Sequence, residues 1–75
     1  MSGHHAPQVG DHVIVRGDFN ATCGTVASVE PDCSVILRDR HDLFGSVQGL
    51  GRAPAWAVHP FDGPPRRLNV FEALA

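Results

Sequence analysis

Along the first half of the chain, apolar positions come in short alternating bursts rather than in helical steps. Val13 and Val15 share one side of a segment running from about His12 to Arg16, with Ile14 on the other, the two-residue period of a strand with one buried side. A second burst runs from about Cys23 to Glu30. There Val26 and Val29 are three apart, which suits a strand bending round a barrel corner, and Gly24 allows a bulge or a close backbone approach. Pro31-Asp32 starts a type I turn, and Cys33 to Arg38 returns as a third strand with Val35 and Leu37 pointing inward. From Arg40 to Ala53 three glycines separate Leu43, Phe44, Val47 and Leu50, so the stretch reads equally as a long loop or as a loop enclosing one strand. Ala55 to His59 predicts a fourth strand carrying Trp56 and Val58. Three prolines between Pro60 and Arg67 then impose an irregular connection, and Leu68 to Leu74 closes the chain as a short strand, a 3-10 turn, or both. No helical pattern exceeds two turns. The expectation is an all-β domain, a small five-stranded barrel with a short C-terminal 3-10 turn over residues 9–75, preceded by a disordered arm at residues 1–8.

Length sharpens this expectation. A chain of 75 residues makes one domain near the lower size limit, where only about 60% of the unfolded surface can be buried. Barrel closure removes exposed strand edges and lets one small core serve every strand. No apolar run approaches the roughly 20 residues that span a bilayer, and the first residues lack a charged-then-apolar leader pattern, so a cytoplasmic protein with no membrane contact is expected.

The net charge is −2, and all six basic residues are arginine. Strong non-specific nucleic-acid binding usually carries excess positive charge, so this balance counts against it while leaving room for a local arginine patch. Were Pro31-Asp32 a two-residue turn, Cys23 would fall opposite a residue near Arg40, about 20 Å along its strand from Cys33. That separation excludes a disulfide, which needs the two Cα atoms within about 7 Å, and both cysteines are expected as reduced packing residues.

From Val9 to Leu37 the chain resembles the KOW motif shared by several ribosomal proteins and by antitermination-type transcription elongation factors. The resemblance rests on Gly10-Asp11 before Val13 and Val15, on Gly17 and Phe19 in the first loop, on Gly24-x-Val26 with Val29, and on Val35 to Leu37. It implies an SH3-like barrel, a scaffold that carries RNA-binding, protein-binding and structural roles. Ala21 stands where the family usually has a loop glycine, and Asp18 and Asn20 stand where RNA-binding members are rich in lysine. Both departures count against RNA.

Candidate chemistry is sparse. The five histidines show no ligand-like spacing to either cysteine, so no metal site is expected. Of the six aspartates (Asp11, Asp18, Asp32, Asp39, Asp42 and Asp62) almost all fall at turns, where a short carboxylate caps backbone N–H groups, and no nucleophile stands beside a base. No catalytic residue and no cofactor is therefore expected. Binding features are stronger. Phe19 and Phe44 lie in loops, flanked by Arg16, Asn20, Arg38 and Arg40, and aromatics beside arginines serve both peptide grooves and single-stranded nucleic-acid surfaces. Phe19 and Phe44 are expected at the surface, Trp56 and Phe71 in the core. The leading expectation is a non-enzymatic adaptor that engages another protein through the first loop and the segment after Asp39. The alternative is an RNA- or ribosome-associated module whose Arg16, Arg38, Arg40, Arg66 and Arg67 contact phosphates while Phe19 stacks on a base. A third possibility is an accessory subunit packed on an enzyme.

Overall fold

The computed structural model describes residues 6–17 and 20–74. Its architecture is one antiparallel sheet of six strands with a single short α-helix, in the order β1 (His12–Arg16), β2 (Ala21–Val29), β3 (Val35–Asp42), β4 (Gly45–Val47), β5 (Gly51–Ala53), β6 (Val58–Pro60) and α1 (Val70–Leu74). The path through the sheet is β4-β3-β2-β1-β6, and β5 pairs with the first half of β3 on the edge whose second half pairs with β4.

The sheet curls because β2 and β3 are each interrupted. Between the pairs Cys23–His41 and Thr25–Arg38, Gly24 alone opposes Asp39 and Arg40, and Asp39 takes a positive φ of 53°. A Cβ on Gly24 would stand 3.0 Å from the Arg38 carbonyl oxygen, so this is the close approach that the glycine permits. Between Val26–Leu37 and Ser28–Ile36, Ala27 is the extra residue on the other strand. These two bulges add twist and bend the strands, as the broken alternation of Val26 and Val29 suggests. Curling brings Val13 of β1 and Ala53 of β5 into one cluster with Val26, Val35 and Leu37, although β2 and β3 lie between them in hydrogen-bonding order.

Closure is where the expected barrel fails. Among the described residues no ladder joins β6 to β5 or β4, so the sheet is open and six-stranded rather than a closed barrel of five. The physical reason lies in Pro54–Ala57: the fourth strand expected from Ala55 begins instead as a 3-10 helix (Ala55–Ala57), and only Val58–Pro60 pairs, with β1. The hairpin register also differs by one residue. Glu30 pairs with Ser34 through its N–H, while Cys33, at φ 70°, is the extra left-handed residue after the Pro31-Asp32 turn. With the bulges added, Cys23 faces His41, the neighbour of Arg40. Both cysteines are free, Cys23 buried and Cys33 exposed.

A second correction concerns the other side of β1. Ile14 is buried with Ala21, Cys23 and Leu68, with Phe61 packed alongside, so β1 and the start of β2 are covered on both faces. The cover is the segment after Pro60, which no alternation of its own announces. Its end is an α-helix rather than a 3-10 turn. The Asn69 side-chain oxygen accepts the Glu72 N–H at 2.8 Å and the Glu72 carboxylate accepts the Asn69 N–H at 2.9 Å, a reciprocal cap that sets the first helical turn.

Candidate functional site

The segment after Asp39, ambiguous in sequence, is ordered by two side chains. Asp42 accepts the Phe44 N–H at 2.7 Å, which tightens the β3–β4 turn and turns Phe44 outward to 86% exposure. Arg40 reaches along the outside of the next loop. Its Nη2 donates to the Gln48 carbonyl at 2.8 Å and its Nε to the Gly49 carbonyl at 3.3 Å, and its side chain lies so close over Gly51 that a Cβ there would meet Nη1 at 2.6 Å. The loop held in this way presents Leu50, which is also exposed.

The expected site residues divide accordingly. Phe44 is at the surface. Asn20 is exposed, and its carbonyl accepts the Gly17 N–H; Arg38 is exposed and pairs with Asp39 at 2.8 Å in a solvent-facing ion pair. Arg40 is a clamp on its own chain. Arg16 is half-buried, and its Nη1 donates to the Glu72 carbonyl at 3.1 Å. Phe19 lies outside the described residues, as do Asp18 and the paired histidines His4 and His5. Of the further arginines, Arg66 forms a bidentate pair with Glu72, at 2.8 and 2.6 Å, and stacks over the Phe61 ring at 5.1 Å. That pairing, followed by the Asn69 N–H, holds the Glu72 carboxyl at about 2, well below its ordinary 4.5. Asn69-x-x-Glu72 is a legible capping signature that the expectation of a short strand, a 3-10 turn or both at Leu68 to Leu74 does not use.

Aromatic placement departs most from expectation. Trp56 is 80% exposed and Phe71 85% exposed, whereas both were expected in the core. Inside the curled sheet the space is taken by valine, leucine and alanine, and in the 3-10 helix it is small Ala57 that turns inward. On α1 it is Ala73 that is buried, while Val70, Phe71 and Leu74 face outward.

Asp11, Asp32 and Asp42 each accept a backbone N–H within a turn, the capping role that their sequence positions suggest. The Ser34 backbone N–H is the main cause holding the Asp32 carboxyl below its usual range. A cleft of about 100 Å³ opens where the sheet fails to close, between Val15 and Thr22 on one side and Leu37, Arg40 and Arg52 on the other. It is well below the several hundred Å³ of ordinary small-molecule sites. Among the described residues no three histidine, cysteine or carboxylate groups are placed to share a metal ion, and no helix is long and apolar enough to cross a membrane. No family model, curated protein or solved structure significantly matches the chain.

Proposed function

We propose that this protein is a small non-enzymatic binding module of the KOW-like, SH3-like kind, acting as an adaptor that docks on another protein through its first loop and the β3–β5 segment. One observation carries the reading: of the four described aromatics only Phe61 packs against a buried cluster, and Phe44, Trp56 and Phe71 are each at least 80% exposed. A chain this short has few large apolar side chains, and those left in water add nothing to its stability, whereas burying them against a partner is favourable. Exposed aromatics are also the residue type that anchors protein interfaces. The Arg40 clamp and the Asp42 cap hold Phe44 and Leu50 on an ordered frame, which lowers the entropy lost on docking.

A protein partner is favoured over RNA by the state of the arginines. Arg40 and Arg66 are spent on the chain's own carbonyls and on Glu72, and with a net charge of −2 little positive field remains to gather phosphates. A photo-crosslinking residue at position 44 tests the proposal. Nuclease-treated extract should give a discrete protein adduct that persists at high salt, and the same residue placed at Glu30 should give none. Adducts that vanish with nuclease, or affinity that falls steeply with salt, would transfer the assignment to RNA. Phe44→Ala should shift the stability by no more than about 0.5 kcal/mol while weakening that adduct, since its side chain is nearly free of intramolecular contact.

A further inference from the structure

The covered outer face of β1 and β2 is a docking site that the chain fills with its own residues Arg66–Leu74, and we propose that it also accepts this segment from a second copy of the chain, giving a reciprocally exchanged dimer. The segment crosses three strands, using its backbone at each. Leu68 N–H donates to the Asp42 carbonyl of β3 at 3.0 Å, the Arg66 carbonyl accepts the Cys23 thiol of β2 at 3.1 Å, and the Glu72 carbonyl accepts Arg16 of β1. Between these bonds Leu68, only 1% exposed, sits against Ile14, Ala21 and Cys23. The site is thus specific for a short segment bearing one leucine-sized side chain between these donors and acceptors.

Two features suit the segment to docking on a second copy. The segment carries its own shape: the Arg66–Glu72 fork and the Asn69–Glu72 cap are internal to it and travel with it to whichever body it docks on. Its connection, Asp62-Gly63-Pro64-Pro65, has no regular structure and joins a pivot, Gly63 at φ 99°, to a stiff pair of prolines, the kind of linkage across which identical elements exchange between protomers. Because cis and trans docking use the same contacts, the balance between monomer and dimer is governed by the connection.

Deleting Pro64 and Pro65 shortens the connection by roughly 7 Å and tests this directly. The deleted chain is expected to weigh as a dimer by light scattering. Cys23 should alkylate roughly a hundredfold more slowly than exposed Cys33, which reports the filled site against an internal control. A monomer, or a dimer in which Cys23 reacts as fast as Cys33, overturns the proposal. Should the deleted chain fail to fold, unmodified chains supply the answer. Labelled and unlabelled nitrogen-15 forms, mixed at millimolar concentration and warmed toward the unfolding midpoint, should yield mixed-isotope dimers in native mass spectrometry with Cys23 still protected. Monomers alone would overturn it.

Discussion

Leu68→Ala is the substitution that most directly weighs the C-terminal cover. Leu68 is among the largest fully buried side chains and the only one of them outside the strands, so the truncation removes methyl groups from between Ile14, Ala21 and Cys23. Buried Leu→Ala changes cost about 2–5 kcal/mol, the spread reflecting how far the surroundings collapse. Here the leucine rides on a segment that can settle inward, which places the expected loss at about 2–3 kcal/mol. A domain of 75 residues has on the order of 4–11 kcal/mol in total, so roughly a fifth to three quarters of its stability goes, and the midpoint falls by roughly 10–20 °C. Urea unfolding followed by far-ultraviolet circular dichroism measures this; indole fluorescence is a poor probe, because Trp56 is already 80% exposed in the folded state. A loss below about 1 kcal/mol would refute the claim that this leucine anchors the cover. If the segment lifts away while the sheet stays folded, the denaturant slope falls as well, since less surface is left to expose.

Three further outcomes follow from features described above. Cys33→Gly should raise stability by about 0.5–1 kcal/mol in chemical denaturation, because a left-handed φ of 70° costs a side-chain-bearing residue about 1–2 kcal/mol and glycine recovers most of it; Cys33→Val should lower stability. The Glu72 carboxyl is depressed in the folded state, so the unfolded chain binds its proton first: its stabilisation is complete above the ordinary value of 4.5 and drains away as pH falls toward about 2. Denaturation midpoints of the native chain and Glu72→Gln should therefore converge across that window, and parallel curves would exclude the Arg66–Glu72 pair as their cause. In amide hydrogen exchange, β1 and the paired half of β2 should be the slowest elements, as both of their faces are covered.

Much of the sheet is legible in the sequence. The strand at His12–Arg16 and the first part of β3, Val35–Arg38, follow from two-residue alternation, the bulge at Gly24 from the glycine and the bend at Ala27 from the spacing of Val26 and Val29, whereas the continuation of β3 from Asp39 to Asp42 shows no such period. What was illegible has physical causes. Gly45–Val47 and Gly51–Ala53 are three residues each, too short to show a period, and their order comes from Arg40 and Asp42 bonding to backbone, which leaves no pattern in hydrophobicity. Ile14 read as the outer side of a one-sided strand because its cover is distant in sequence. Trp56 and Phe71 were assigned by bulk, yet the interior is narrow enough that valine and alanine fill it. For the candidate site, Phe44 was legible as a loop aromatic, whereas the diversion of Arg40 to structural duty depends on where one side chain reaches.

The Arg40 clamp has a consequence for how this surface tolerates change. A single guanidinium, through Gln48 and Gly49, sets the shape of a loop in which Gly49 at φ 81° and the close-packed Gly51 are also needed, while Gln48 and Leu50 are free to vary without unfolding anything. Lysine at position 40 keeps the charge but loses the fork that reaches two carbonyls at once, and the loop would then sample many shapes. Selection for a new partner could rewrite the loop's chemistry residue by residue, with its geometry held in trust by one side chain on the neighbouring strand.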